Sequence, residues 1–343
     1  MRNRCDRTRY SGILFWLVSL AALAMLTGLA FAVGRFPVSP GELLTLAWAK
    51  LSGSPHALPA NVETVILQVR GPRVLAALLV GGALAAAGTA FQGMFRNPLV
   101  SPDLLGVATG SALGAVLGIF LSRDVWTIQV FAFAGGLTAV GMVYWVSASI
   151  PRHDPLLALV LTGVVIGTLL GSGIALLKYL ADPYNQLPAI TYWLMGSLAS
   201  IAPSDLGAAC VFVLAGLTPM LLLRWRMNLL ALPEDEARAL GVDTRGLRLV
   251  VIAAATLMTA AAVAVSGVIG WIGLLVPHAA RMLVGPDFGR LLPLAMLLGA
   301  AFLLAVDTLC RTVAAIEIPP GVLTALLGTP FFLWLFAASR RGW

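Results

Sequence analysis

"RGPRVLAALLVGGALAAAGTAFQGMFRNPLVSPDLLG", residues 70–106, joins an apolar run of helix length to a turn that contains two prolines. Pro98 and Pro102 lack amide protons and disfavour helix in the residues before them, while Asn97 and Ser101 can hydrogen-bond the freed backbone. Irregular backbone is not stable where lipid surrounds it. If the apolar run crosses a membrane, the turn must therefore lie at an interface or inside the protein.

The composition of the whole chain is that of a membrane protein. Hydrophobic residues make up 59% of the 343 residues and charged residues only 11%. A helix of about 20 apolar residues crosses the hydrocarbon core, and the apolar segments here are too long and too continuous for barrel strands. The sequence predicts an all-α polytopic membrane protein with about ten transmembrane helices. The expected spans are 13–33, 74–91, 103–121, 125–148, 156–180, 203–223, 249–266, 270–284, 291–310 and 321–338.

The first span has two interpretations, since Ala30-Phe31-Ala32 matches the cleavage site of a signal peptide. Its apolar region is longer than the roughly 7–15 residues of such peptides, so we expect an uncleaved anchor. With the N-terminus inside, fifteen of the 22 lysines and arginines fall on the inner side, which predicts that both termini are cytoplasmic. The net charge of +7 then reflects topology and anionic headgroups, and it indicates no nucleic-acid site.

Two polar segments, 34–64 outside and 224–248 inside, are too short to hold a domain core of their own. We therefore expect residues 1–343 to form a single membrane domain. In the outer segment, Ser39 and Glu42 have the spacing of a capping box. In the inner segment, three acids follow Pro233 and Gly241 can end the helix that they begin, which predicts a short exposed helix. By composition alone this helix is a solvated connector.

Two further helix breaks occur in "SGVIGWIGLLVPHAAR", residues 266–281, and "EIPPGVLTALLGTPFF", residues 317–332. A glycine precedes a proline by ten positions in two of the three interruptions, at Gly88–Pro98 and at Gly267–Pro277. Corresponding breaks in two halves of a transporter indicate an internal inverted repeat, although one shared spacing is also compatible with chance.

Several of these segments together resemble one family. Residues 70–114, "YWLMGSLA", "LPEDEARALGV", "GVIGWIGLLVPHAAR" and "EIPPGVLTALLGTPFFLWL" are similar, in order, to motifs of FecCD-like permeases, the membrane subunits of type II ABC importers for ferric siderophores, haem and cobalamin. The resemblance extends from about residue 64 to the C-terminus. It implies the type II importer permease fold in the cytoplasmic (inner) membrane, and a homodimer with its translocation path between the subunits. It also implies two cytoplasmic ATP-binding subunits, a periplasmic or surface substrate-binding protein, and no cofactor.

The resemblance assigns residues to four roles. ATPase coupling belongs to the loop at about 225–247, through Glu234, Asp235, Ala237, Leu240 and Gly241. Binding-protein docking belongs to Arg70, Arg73 and Arg311. The translocation path and gate belong to Thr162, Gly163, Gly167, Gly171, Trp193, Gly196, Gly270, Gly273, Gly328, Pro330, His153 and Asp154. A structural role belongs to Gln92, Asn97, Pro98, Pro277 and His278.

Each assignment has a simpler alternative. Arg311 has the spacing of an ion pair with Asp307 on its own helix, while Arg70 and Arg73 can extend to headgroups. The small residues assigned to the path can equally serve helix packing. His278 has no second metal ligand near it in sequence and is expected to be structural, and the cysteines lack metal or disulfide spacing, so no metal site is predicted.

Other functional classes agree less well with the sequence. The chain contains no G-x-x-x-x-G-K-[ST] motif, so it is not expected to be an enzyme, and ATP hydrolysis must come from a separate subunit. An ion-coupled transporter would need charged residues within the spans, for which Asp307 is the nearest candidate. An intramembrane enzyme using Ser266 and His278 lacks a supporting motif. Among substrates, ferric siderophores are favoured over haem, cobalamin and molybdate-type oxyanions.

Overall fold

A computed structural model describes residues 2–34, 36–55, 57–150, 155–230, 232 and 234–338. Fifteen α-helices form this part of the chain, and it contains no strand. They are α1 Arg2–Ala32, α2 Pro40–Ser52, α3 Ala60–Thr64, α4 Gly71–Phe95, α5 Val107–Phe120, α6 Val125–Ser149, α7 Pro155–Leu180, α8 Gln186–Leu194, α9 Pro203–Leu222, α10 Arg224–Leu229, α11 Glu234–Ala239, α12 Thr244–Ser266, α13 Ile272–Val284, α14 Phe288–Cys310 and α15 Pro320–Ala338.

Ten of the described helical segments are apolar and coincide with the ten expected spans. Seven are long enough to cross a membrane, counting residues 60–95 as one segment, and three shorter ones are α5, α13 and α15. The start of the second span was predicted wrongly at 74, because α3 and a π-helical turn, Val65–Arg70, extend it back to Ala60. The π-turn ends where Pro72 cannot donate a helical hydrogen bond, and the Gly71 amide bonds to Ile66 instead.

The outer segment folds as its capping pattern predicts. Ser39 caps α2, with its hydroxyl oxygen accepting the Glu42 amide at 3.2 Å, and the Ser39 amide donates to the Glu42 carboxylate at 2.7 Å. Together with a bond from the Ser39 hydroxyl, this backbone bond lowers the pKa of Glu42. Across the same segment, an ion pair of 2.8 Å joins Lys50 of α2 to Glu63 of α3. The segment is therefore ordered, and α2 is joined to the start of the second span.

Helix α4 is the centre of the described helices. It is buried along almost its whole length and packs against α9, α12, α13 and α14. Glycine and alanine dominate its sequence, so neighbouring helices approach its backbone directly. At the crossing with α14, a Cβ on either Gly81 or Gly299 would overlap the other residue's carbonyl oxygen. This small-residue surface determines how closely the central helices pack.

The crossing of α4 with α13 joins two of the interrupted segments found in the sequence. Pro277 cannot donate the helical hydrogen bond to the Gly273 carbonyl, and that oxygen lies directly against Gly88. Only a glycine fits there, because a Cβ at Gly88 would overlap the oxygen. One turn further along α4, the Gln92 side-chain amide donates to the Leu274 carbonyl at 2.8 Å. The proline break in α13 is thus held against α4.

The turn after α4 is built from local hydrogen bonds. Arg96 has a left-handed conformation, with φ of 51°, and the Asn97 side-chain oxygen accepts the Leu99 amide at 2.9 Å. Pro102 then begins a 3-10 helix, Pro102–Leu105, which ends at Gly106. This 3-10 turn is the reason that α5 begins four residues later than the span predicted from 103.

Outer helices of the subunit leave much of their apolar surface open. Only 22% of the residues in the most apolar stretch of α7 are buried. In the most apolar stretch of α1, the buried share is 6%. α1 nevertheless packs on α14 and α4, with Phe15, Trp16, Leu26 and Phe31 against the core. These helices therefore have faces left for lipid or for other subunits.

We expect Gly88→Ala to lower the free energy of unfolding by about 2 kcal/mol, because its methyl group must push α4 away from the Gly273 carbonyl. Thermal unfolding of the purified protein in detergent measures this change. Gly93→Ala, on the same helix, is the control, since no atom lies within 4 Å of its Cβ position. Equal stability of the two variants would contradict the close crossing.

Candidate functional site

The three arginines assigned to the outer face lie close to one another and are buried. Arg70 ends the π-turn, Arg73 is in the first turn of α4, and Arg311 follows the last residue of α14. Their exposed fractions are only 5%, 8% and 8%. Buried arginines require anionic or carbonyl partners, because burial of an unpaired charge is very unfavourable.

Arg73 is held by two carboxylates. Its Nε and Nη2 atoms both donate to Oδ1 of Asp307, at 2.9 and 2.7 Å, and Nη2 also pairs with Glu317. The Asp307 side chain is completely buried, and its Oδ2 lies 3.5 Å from Nε of Arg311. We call Arg70, Arg73, Asp307, Arg311 and Glu317 the outer charge cluster. It connects α4, α14 and the segment before α15.

The other two arginines of the outer charge cluster bind the end of α1. Arg311 donates to the Val33 carbonyl at 2.9 Å and to the Ala30 carbonyl at 2.5 Å. Arg70 donates to the carbonyls of Phe31 and Phe36. The last carbonyls of a helix lack intrahelical partners, so the bonds to Ala30, Phe31 and Val33 supply donors that α1 itself cannot, while the bond to Phe36 holds the segment that follows. The cluster therefore fixes the end of α1 against α4 and α14.

These contacts test the simpler roles that the sequence offered for the three arginines, an ion pair within α14 and extension to lipid headgroups. The ion pair of Arg311 with Asp307, one turn earlier in α14, is present. Extension of Arg70 and Arg73 to headgroups is wrong, because both side chains turn inward to protein partners. Docking of a binding protein on the three arginines stays a prediction. It would require them to exchange some of these partners.

Three chain breaks meet next to one another at a second place, which we call the break junction. The Ser197 amide donates to the Ser266 carbonyl at 2.8 Å, and the Gly321 amide donates to the Met195 carbonyl at 3.1 Å. Gly196 and Gly267, just after α8 and α12, both have positive φ; Gly267 lies against the backbone of Gly196, and Gly196 lies against the carbonyls of Ser266 and Val268. The junction brings "YWLMGSLA", "GVIGWIG" and "EIPPGV" together.

Trp271 was not selected from the sequence, although it lies beside this junction. Its φ of 73° is unusual for a residue other than glycine. A Cβ at Gly328 would meet its side chain at 2.9 Å, and its ring lies 6.2 Å from that of Phe332. No sequence signal points to this conformation.

Glu317 was also missed, but its place beside two prolines at the outer end of a span was a usable signal.

The residues assigned to the translocation path divide into two groups. Thr162, Gly163, Gly196, Gly273 and Gly328 pack inside the subunit; a Cβ at Gly163, for example, would overlap the Leu104 carbonyl. Their packing agrees with the helix-packing alternative, and their role in the path stays a prediction. No atom approaches a Cβ at Gly167, Gly171 or Gly270 within 4 Å, Pro330 is exposed and Trp193 is half-buried. His153 and Asp154 lie outside the described residues.

The segment assigned to ATPase coupling forms the short helix α11. It ends in a turn at Gly241, whose φ of 79° is left-handed, as the sequence predicts. Leu240 is 62% exposed and Asp235 is exposed, whereas Ala237 is 1% exposed and packs inward. The Ala237 side chain is already covered within the permease, and its contact with an ATPase stays a prediction. The Glu234 side chain is not among those described.

His278 is buried in α13 and has contacts within the chain. Among the residues that the structure describes, no group of three or more His, Cys, Asp or Glu side chains could hold a metal ion.

Comparison with known proteins identifies the family. The model of the FecCD transport family matches residues 20–338. The chain belongs to the FecCD transport family. The molybdate import system permease protein MolB of Haemophilus influenzae is 39% identical over 333 residues, which covers 97% of each chain. The cobalamin import system permease protein BtuC of Halobacterium salinarum is 40% identical over 327 residues, which covers 92% of this chain and 87% of that protein.

A solved structure of a metal-chelate type ABC transporter in an inward-facing conformation matches this FecCD-family chain with a TM-score of 0.86. The two are 38% identical, and the match covers 96% of this chain and 100% of that one. The predicted fold class is confirmed: the chain is a polytopic, all-helical permease of an ABC importer. The internal repeat stays a prediction.

We expect Asp307→Asn to lower the free energy of unfolding of this FecCD-family permease by about 3 kcal/mol, because it removes a buried carboxylate between Arg73 and Arg311. Glu63→Gln is the matched control. It weakens an exposed ion pair with Lys50 and is expected to cost less than about 1 kcal/mol. Thermal unfolding in detergent measures both, and similar losses would show that the buried cluster does not stabilise the fold.

Proposed function

We propose that this permease imports a metal chelate, with ferric siderophores as the first candidate, and that it works as a homodimer. Two ATP-binding subunits on the cytoplasmic side would supply energy, and a substrate-binding protein would deliver the cargo from outside. The observation that carries this proposal is that α11, in the segment that the resemblance assigns to ATPase coupling, is a short helix with an exposed side. The match over residues 20–338 supports it.

The coupling surface is formed by the exposed side of α11 and its terminal turn. Leu240, at 62% exposure, is a large apolar side chain that water would otherwise surround, so it is suited to an apolar cleft on an ATPase. Asp235 and Glu234 would meet basic residues around that cleft. The inward-facing Ala237 anchors α11 to the permease itself. ATP-driven closure would then move α12, which directly follows the Gly241 turn.

The translocation path would lie between two copies of the open faces of α7 and α15. No atom lies within 4 Å of the Cβ position of Gly167 or Gly171 on α7, and Pro330 is exposed on α15. Gly270 is open beside the break junction. A wide path between subunits suits a bulky chelate better than a site within one helix bundle. Selectivity would then belong largely to the binding protein.

Orientation follows from the distribution of charge. Most lysines and arginines lie on the side that also carries α11, so both termini would be cytoplasmic. The outer charge cluster then lies beneath the surface on which a binding protein would dock, with Arg70, Arg73 and Arg311 as its predicted contacts.

Molybdate is the second candidate cargo. The specific observation in its favour is the 39% identity, over 97% of each chain, with a molybdate import permease. Cobalamin and haem remain substrates of the same class of bulky, metal-containing ligands. The identity to a cobalamin permease is 40%, so identity alone does not separate these cargoes.

We expect Leu240→Asp, alone or with Glu234→Gln, to abolish uptake and the co-purification of the ATPase, because a charge would enter the apolar cleft. The permease should remain monodisperse in size-exclusion chromatography, since Leu240 is exposed. Leu44→Asp on α2 is the control, as this leucine is 72% exposed on the other side of the membrane. Normal uptake by the Leu240 variant would remove the assignment of the coupling surface.

We also expect gentle affinity purification from native membranes to recover an ATPase in equal amount. Mass spectrometry of the accompanying small molecules, with the binding protein present, would identify the cargo as an iron chelate, a porphyrin, a corrinoid or molybdate. Absence of any ATPase, under conditions that preserve another ABC complex, would contradict the proposed mechanism. It would favour ion coupling, for which Asp307, already engaged by two arginines, is a poor candidate.

A further inference from the structure

A basic crevice opens at the inner ends of α6, α7, α11 and α12. Its volume is about 380 Å³, and three arginines line it: Arg238 of α11, and Arg245 and Arg248 of α12. Tyr144 and Ser147 of α6 contribute hydroxyl groups. No carboxylate is present among the described residues that line it. Three guanidinium groups in one crevice create a site that favours an anion.

An apolar groove continues from this crevice along the side of the helices. It has a volume of about 550 Å³ and lies between α6, α9 and α12. Tyr144, Leu249 and Ile252 line both the crevice and the groove, so the two are continuous. Among the described residues that line the groove, Tyr144 and Thr256 carry hydroxyl groups. The others are apolar or glycine.

The packing of the three helices explains the groove. α6 and α9 both pack on α12, but they separate from each other in the inner half, where Gly141 and Ala215 are small. Near the middle of these helices, the rings of Phe133 and Phe212 meet at 4.5 Å and separate this inner groove from a second apolar groove in the outer half. From Phe133 to Tyr144, α6 rises about 16 Å, which is close to half of the roughly 30 Å hydrocarbon core. The groove therefore extends through about one leaflet.

We propose that the crevice and groove together bind one anionic phospholipid of the inner leaflet. Its phosphate group would lie among Arg238, Arg245 and Arg248, and an acyl chain would occupy the groove beneath Tyr144. Arginine pairs with phosphate in bidentate geometry, and basic pockets between helices on the cytoplasmic side are suited to anionic headgroups. A free phosphate ion would leave the groove unused, and a zwitterionic headgroup would bring a cation to the arginines.

The arginines need not be free of other contacts for this binding. Arg238 and Arg248 also have other interactions within the chain, and a phosphate group has several oxygen atoms with which to share them. Arg245 is exposed, so its side chain can move onto a headgroup.

One consequence rests on the proposed function. Arg238 belongs to α11, so a headgroup bound to it and to Arg245 would connect the coupling helix to α12. Anionic lipid would then strengthen the link between the ATPase and the spans. The site itself does not depend on this consequence, because the charge and the groove belong to the permease alone.

Native mass spectrometry of the full-length permease, purified in detergent, tests the binding. The chain is titrated separately with phosphatidylglycerol and phosphatidylcholine that carry identical acyl chains. We expect phosphatidylglycerol to bind at least about tenfold more tightly, as one or two charge-assisted contacts would give. Arg245→Gln with Arg248→Gln should remove this preference. Arg224→Gln with Arg290→Gln is the charge-matched control, since both are exposed and neither lines the crevice.

A second pair of variants tests the groove. Gly141→Leu should fill it without disturbing the fold, because no atom lies within 4 Å of the Cβ position, and phosphatidylglycerol binding should fall severalfold. Gly207→Leu, equally open but on the outer part of α9, should leave binding unchanged. Thermal unfolding of all variants shows that they remain folded.

Three results would overturn the proposal. Equal affinity for the two lipids would contradict a charge-selective site, and an equal effect of the two arginine pairs would place the binding elsewhere. Displacement of the lipid by inorganic phosphate, together with no effect of Gly141→Leu, would assign the crevice to a free anion. Neither the ATPase nor the binding protein is present in this experiment, so its failure would leave the proposed import function intact.

Discussion

Helix α4 is enclosed by α9, α12, α13 and α14, and its small side chains let their backbones come into contact with its own. In lipid there is no hydrophobic force to drive helices together, so close packing and satisfied polar groups must supply the stability. Gly81 provides this contact with α14, and Gly88, two turns further along α4, provides it with α13. The positions of α13 and α14 depend directly on it.

Polar satisfaction is the second requirement on this structure, and it is met where helices end. The outer charge cluster gives the last carbonyls of α1 their hydrogen-bond donors and neutralises the buried arginines with Asp307 and Glu317. The π-turn places Arg70 at the end of α1, while Arg73 faces α14 from the next turn of the same helix. Loops that join spans outside the membrane are thereby fixed to the core, which is what a docking surface for another protein requires.

The surfaces left open have different chemistry, and this separates their functions. The open faces of α7 and α15 are apolar, and α7 is uncrowded at Gly167 and Gly171, which suits the proposed path between two subunits. The turn after α11 presents the large apolar side chain of Leu240 next to charged residues, which suits a protein partner. The groove along α6, α9 and α12 is apolar with a basic inner end, which suits a lipid. The subunit thus has a close-packed centre, and all of the interactions proposed for it lie at its periphery.

Local chemistry in the sequence determined the ten apolar helices, the capped helix α2, the Gly241 turn and the break after Phe95, because each depends on residues a few positions apart. Motif order determined the family. Only the tertiary structure decided which glycines pack and which stay open, and it gave Arg73 a partner 234 residues away in Asp307. It also gave Trp271 its positive φ and turned Ala237 inward. Such choices depend on which helices meet, and pairings between distant segments leave no local pattern in the chain.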